Sequence, residues 1–198
     1  HISDLDDLDK HFYINLFTTP NDLSKGRESY QNVNWDLVDD ADSKEVKKIK
    51  EVYKGRNLPL RVCDPSRMTI SYIYPSDVEN DTTLKNESYT NNVSIALYIH
   101  SGYKIFFAAD IQKEGMKKLL EDNPELEKKL GQGVDFLVCP HHGLRSSFST
   151  ELFGAMKDGK TKKLNIISEK VNGDDNRNVD SRYASTNNCE GDNNLSTD

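Results

Sequence analysis

The chain has 198 residues, of which 35% are hydrophobic and 30% charged, and its formal net charge is −7. This length suits one domain with a single core, and the acidic balance excludes a broad basic surface for nucleic acid but not a local one. The mean hydropathy of −0.76 indicates polar insertions or a polar tail. No run of about 20 apolar residues is present that would cross a bilayer. The three cysteines are widely spaced, which predicts free thiols in a reducing compartment.

Two helices and one strand are expected in the first half of the chain. Apolar residues at helical spacing predict helices over 3–12 and from about Ser43 to Tyr53. Residues 68–74 are rich in β-branched and aromatic side chains and predict a strand. The stretches 20–42 and 76–92 are polar, and we expect both to be inserted loops.

The second half shows a more regular alternation of strands and helices. Two apolar stretches flank Gly102 and predict a β-hairpin with strands at 94–99 and 104–109. Residues 171–198 are rich in Asn, Asp, Ser and Gly, so an irregular tail or an incomplete final element is expected there. Strands mixed with helices predict an α/β or α+β layered domain over residues 1–170. The other expected elements are helices near 112–121, 124–130 and 148–156 and strands at 134–139 and 164–168.

Chemically reactive side chains follow two of these strands. Asp110 comes directly after the strand at 104–109, and His141 with His142 follows the strand at 134–139. Layered α/β folds usually bind ligands at strand ends, and a carboxylate with imidazoles there suits zinc, or manganese with more oxygen ligands. Each residue also has an ordinary alternative, because an Asp after a strand commonly caps a helix and a His pair can lie in a solvated loop.

The residues around the histidines add to this pattern. Gly143 allows the backbone to turn sharply beside the pair, and Arg145 and Ser146 are candidate donors to an anionic substrate. A thiol hydrolase that uses Cys139 with a histidine is a weaker alternative, because a cysteine that ends a buried strand usually serves packing.

Three stretches carry a more specific pattern. Residues 91–97 read Asn-x-x-Ser followed by an apolar strand, and residues 106–111 form a strand that ends in Ala109 and Asp110. Residues 134–147 contain Asp-x-Leu-x-x-x-His-His-Gly-x-x-x-Ser. Together they resemble the metallo-β-lactamase superfold, in its ComEC/Rec2-like branch of competence-protein hydrolase domains, where a glycine precedes the aspartate. The resemblance covers roughly residues 90–170.

The start of the chain fits the same resemblance. The superfold's signature is His-x-His-x-Asp-His, and His1 with Ile2 and Leu5 is similar to its end, with His1 as the last histidine. An alternative register makes His1 an earlier histidine, but it puts Ser3 and Asp4 where Asp and His belong. The rest of the signature would lie upstream, so we expect the chain to be an incomplete piece of a longer protein.

The resemblance implies a four-layer αβ/βα sandwich, incomplete at the N-terminus, that holds one or two Zn²⁺ ions, with Mn²⁺ as the alternative. Asp110 would bridge the metals, and His1 and His142 would be ligands. His141 would protonate the leaving group or bind the substrate anion, and the roles of His141 and His142 could be reversed.

Two functions follow from the resemblance. The first is metal-dependent hydrolysis of a phosphodiester, by a nuclease or phosphodiesterase that acts on nucleic acid or a nucleotide. The second is a degenerate module that has lost its metals and acts as a binding scaffold for protein partners in a larger assembly. One of Asn91 and Asn92 stands where other branches place a ligand histidine, and the loss of that ligand would agree with the second function. Without a membrane segment or leader in the sequence, a cytoplasmic location is expected.

Overall fold

The protein folds as a mixed α/β domain around one sheet. The computed structural model describes residues 5–12, 19–22, 33–38, 42–52, 64–168, 179–191 and 195–197. Within these residues the sheet has six strands that lie in chain order, β1 to β6. They are β1 Met68–Ser71, β2 Ala96–Ser101, β3 Tyr103–Phe107, β4 Phe136–Val138, β5 Leu164–Ser168 and β6 Leu195–Thr197.

The sheet combines a meander with a parallel half. β1, β2 and β3 pair antiparallel, while β3, β4, β5 and β6 pair parallel. Gly102, with φ of +75°, makes the tight turn between β2 and β3, as the sequence predicted for a hairpin. Parallel strands require long crossovers, and their carboxyl ends lie at one edge of the sheet. The ends of β3, β4 and β5 therefore lie side by side.

Seven α-helices are present in the described part of the chain. Those predicted near 3–12, 43–53, 112–121, 124–130 and 148–156 are confirmed within a few residues. Pro124 occupies the first turn of one of them, and Ser149 caps another by accepting the Leu152 amide at 3.1 Å. The helices are α1 Leu5–His11, α2 Lys44–Val52, α3 Pro75–Asn80, α4 Thr82–Asn92, α5 Lys113–Asp122, α6 Pro124–Leu130 and α7 Thr150–Ala155.

The prediction of a loop over residues 76–92 is wrong, because this stretch forms α3 and α4. Pro75 starts the first helix. Asp81 caps the second by accepting the amides of Thr83 at 2.8 Å and Leu84 at 3.1 Å. The sequence contains few apolar residues here, but those few, among them Val78 and Leu84, are buried in the core. Tertiary packing of a narrow apolar face therefore stabilises helices that composition alone does not indicate.

Parts of the polar stretch 20–42 pack against these two helices. The buried carboxylate of Asp22 accepts hydrogen bonds from the Ser76 hydroxyl at 2.7 Å and the Ser76 amide at 3.3 Å. The amide of Asn34 donates to the Tyr89 hydroxyl at 2.7 Å. Burial raises the pKa of Tyr89 to about 12, so the phenol stays protonated at neutral pH.

The two faces of the sheet have different environments. On one face Tyr98, Phe106, Leu137 and Ile167 are buried, and they belong to the same core cluster as apolar side chains of α3 to α7. On the other face the side chains are apolar but only half-buried or exposed, with Tyr103 at 52%. The register places these residues opposite one another across the strands: Met68, Ile70, Leu97, Ile99, Tyr103, Ile105, Phe107, Phe136, Val138, Leu164 and Ile166.

The described part of the polar C-terminal region contributes to the same domain. Tyr183 is fully buried against the rings of Phe148 and Phe153, with centroid distances of 5.0 and 6.0 Å. The buried Asn165 side chain of β5 donates to the Tyr183 carbonyl at 2.8 Å. Residues 195–197 then add β6 at the sheet edge.

Among the residues that the structure describes, no helix is long and apolar enough to span a bilayer.

Candidate metal centre at three strand ends

The first strand end carries Asp110. β3 ends at Phe107, and the chain turns through Ala108, which is buried, and through Ala109 and Asp110, which are half-buried. Ala109 has φ of +52°, in the left-handed region, which costs an L-residue about 1–2 kcal/mol.

The second strand end carries the two histidines. After β4 the backbone passes through three successive left-handed residues, His141, His142 and Gly143, with φ of +43°, +60° and +67°. Backbone strain of this kind clusters at active sites and ligand-binding loops in proteins. The His141 amide donates to the Ala109 carbonyl at 2.9 Å. This hydrogen bond joins the two turns, so the backbone next to Asp110 contacts the histidine loop.

The third strand end orients a histidine ring. Nδ1 of His142 lies 2.6 Å from the carbonyl oxygen of Ser168, the last residue of β5. A carbonyl can only accept, so Nδ1 carries the proton and Nε2 carries the lone pair of the neutral ring. Histidines that ligate metals are commonly oriented by such a bond from their other nitrogen. We call Asp110, His141, His142 and the Ser168 carbonyl the strand-end site.

His141 lies beside this ring in a different environment. The two imidazole centroids are 5.9 Å apart and the rings are tilted by 49°. His141 is half-buried, and its Nδ1 is shielded from solvent. The two histidines are therefore not equivalent, which agrees with different roles in one site.

Buried polar residues hold the backbone of the histidine loop. The hydroxyl of Ser147, which is fully buried, is bonded to the carbonyls of Pro140 at 2.8 Å and Leu144 at 2.9 Å. The Asp180 amide donates to the Gly143 carbonyl at 2.9 Å. The last serine of the His-His-Gly motif thus has a structural role, because its hydroxyl closes the loop.

Asp180 is itself fixed by an arginine. Its carboxylate accepts from Nε and Nη2 of Arg182 at 2.9 and 2.7 Å, and these hydrogen bonds lower the pKa of Asp180. The Arg182 guanidinium also lies 3.7 Å from the centroid of Phe148. The sequence does not predict that residues 180–182 support the histidine loop, because their composition is polar. This role is visible only from their contacts with residues distant in the chain.

The remaining sequence-predicted residues have the following locations. Arg145 and Ser146 are exposed on a 3₁₀ turn immediately after the histidine loop. Cys139 is buried, and burial raises the pKa of its thiol, which disfavours a reactive thiolate at neutral pH. His1 lies outside the described residues.

Asp110 and His142 are the candidate metal ligands among the described residues. Asp110 and His142 offer a carboxylate oxygen and an oriented imidazole nitrogen, which is a donor set that zinc accepts. Within the part of the chain that the structure describes, no group of three or more His, Cys, Asp or Glu side chains is placed to hold a metal ion. A complete centre would need further ligands from outside these residues.

Comparisons of the chain with family models, curated proteins and solved structures find no match. The resemblance to the metallo-β-lactamase superfold therefore rests on the three motifs and stays a prediction.

The strained turn at Ala109 leads to a first prediction. Ala109→Gly should leave the free energy of unfolding unchanged or raise it by up to about 1 kcal/mol. Glycine adopts the left-handed conformation without strain, and this gain offsets the larger conformational entropy that glycine loses on folding. Ala109→Val should lower it by about 1–2 kcal/mol or more, since β-branched residues tolerate positive φ worst. Urea unfolding measures both changes. A Val variant as stable as the Gly variant would contradict the left-handed turn.

Proposed function

We propose that the protein is a metal-dependent hydrolase that cleaves a phosphodiester with a metal-activated water at the strand-end site. The observation that carries this proposal is the pair of hydrogen bonds that join three strand ends: His141 amide to Ala109 carbonyl, and His142 Nδ1 to Ser168 carbonyl. The turn that carries Asp110 and the loop that carries both histidines therefore lie where the parallel strands β3, β4 and β5 end, and α/β folds commonly bind ligands at such an edge.

The proposed ligands are Asp110 and His142, with His1 as a third. Zn²⁺ bound there would supply a coordinated water with a pKa near neutrality and positive charge beside the phosphate oxygens. The Asp110 carboxylate would accept a hydrogen bond from the attacking water and orient it. His141, held next to His142, would donate a proton to the leaving oxygen. Arg145 would bind the substrate phosphate.

The fold expected for such an enzyme is a four-layer sandwich of two sheets between two helical layers. The apolar, half-exposed sheet face supports this proposal, because a second sheet packs on such a face about 10 Å away. The phosphodiester as substrate class rests on the resemblance of the motifs.

The test is hydrolysis of bis(p-nitrophenyl) phosphate and of a single-stranded oligonucleotide by the intact protein, with Zn²⁺ or Mn²⁺ and with a chelator. We expect metal-dependent cleavage that Asp110→Asn abolishes and that Asp7→Ala, in an exposed position on α1, leaves intact. Metal-independent or undetectable cleavage, with no metal bound, would contradict the enzyme.

A second candidate function is the non-catalytic binding scaffold, which is suggested by asparagine at 91 and 92, where other branches of the resembled superfold place a ligand histidine. In that case the intact protein would bind no Zn²⁺ at micromolar concentration, and Asp110→Asn would change neither stability nor partner binding.

A further inference from the structure

Asn92, at the end of α4, is fully buried, and its side-chain amide is bonded on both sides. Its Oδ1 accepts the Gln112 amide at 3.1 Å. Its Nδ2 donates to the Leu84 carbonyl and to Oε2 of Glu87, both at 3.0 Å. Satisfied buried networks of this kind fix one geometry. Asn92 thus connects α4 to the segment that follows Asp110.

Glu87 extends this connection to the first turn of α5. Its carboxylate accepts the amide of Glu114 at 3.0 Å and that of Gly115 at 3.2 Å. The N-cap residue of α5, Gln112, makes no side-chain capping bond, so Glu87 supplies the cap from another helix. A carboxylate at this end also complements the helix dipole.

Gly115 makes room for this arrangement. A Cβ added at residue 115 would overlap the side-chain amide of Asn92 and lie 3.1 Å from Ile111. Glycine inside a helix is unfavourable by itself. Close approach of the Asn92 amide is the physical reason for glycine at this position.

The segment 109–112 is therefore held at both ends. The Ala109 carbonyl accepts the His141 amide at 2.9 Å, and the Gln112 amide is bonded to Asn92. Asp110 lies between these two attachments. We propose that Asn92, supported by Glu87 and Gly115, is a positioning residue that sets the location of Asp110 in the strand-end site. The expected effect of Asn92 on metal binding rests on the proposed function, whereas its expected effect on the backbone of 109–112 does not.

The experiment compares Asn92→Ala and Gly115→Ala with the control Asn86→Ala, at an exposed position of α4. Gly115→Ala is informative because helix propensity alone predicts a stabilised α5, whereas overlap with Asn92 predicts the same defect as Asn92→Ala. Hydrogen–deuterium exchange by mass spectrometry follows the peptides that cover 106–116, and thermal unfolding reports whether each variant is folded.

We expect exchange at 109–114 to accelerate by about tenfold or more in Asn92→Ala and Gly115→Ala, and to be unchanged in Asn86→Ala. Isothermal titration of the intact protein with Zn²⁺ should show an affinity lower by about 10- to 100-fold in the first two variants. Unchanged exchange at 109–114 in folded Asn92→Ala would overturn the positioning role. If the unsubstituted protein binds no Zn²⁺, the proposed function fails, and the exchange data alone decide the positioning role.

Discussion

Replacing His142 by Ala is expected to lower metal-dependent hydrolysis by about three orders of magnitude and to remove bound metal, because the residue would be a direct ligand. The bond from Nδ1 to the Ser168 carbonyl, at 2.6 Å, would leave Nε2 as the nitrogen that binds the proposed metal. The measurement combines kcat/KM for bis(p-nitrophenyl) phosphate with zinc content by atomic emission. His100→Ala, at an exposed position of β2, is the matched control.

His141→Ala separates the two histidine roles. As a proton donor, His141 should contribute about 10²-fold or more to kcat without a large effect on zinc content. Loss of metal in His141→Ala, with metal retained in His142→Ala, would show that the roles are reversed. Equal activity of both variants and the unsubstituted protein would refute the participation of this loop in catalysis.

The second large effect is expected from Tyr183→Ala. The Tyr183 side chain is fully buried against Phe148 and Phe153, and its removal leaves a large cavity, so the free energy of unfolding should fall by about 3–5 kcal/mol. Urea denaturation followed by circular dichroism measures the change. Tyr103→Ala, at a position that is 52% exposed, should cost less than about 1 kcal/mol.

A loss of less than about 1 kcal/mol in Tyr183→Ala would mean that residues 179–184 do not belong to the core. Because the Asp180 amide binds the Gly143 carbonyl, the same variant should also loosen the histidine loop. Faster amide exchange in the peptide that covers 139–147 would report this coupling.

The parts of the fold that local patterns encode could be predicted from the sequence. The hairpin could be predicted from the two apolar stretches on either side of Gly102. β5 could be predicted from a short, mainly apolar stretch, which is typical of a strand in a sheet. α3 and α4 could not be predicted, since most of their residues are polar and a few buried contacts stabilise them. Helix formation there depends on packing against the rest of the domain.

The candidate site shows the same division. Asp110 and His142 could be proposed as ligands from the sequence, because each comes shortly after an apolar strand. The roles of the Ser168 carbonyl and the Asn92 amide could not be predicted. A backbone carbonyl that accepts a hydrogen bond has no sequence signature, and the sequence does not distinguish a buried asparagine from one in a loop. Asn92 lies 20 positions from Gln112 in the chain, so only the folded structure brings the two together.

We propose that Asp110 and His142 bind the same metal ion at the joined strand ends. A crystal of the intact protein grown with Zn²⁺, measured on both sides of the zinc absorption edge, locates the ion directly. We predict an anomalous peak about 2.0–2.2 Å from an Asp110 carboxylate oxygen and from His142 Nε2, with Nδ1 still bonded to Ser168. A peak elsewhere, or none at this edge of the sheet, would contradict the account.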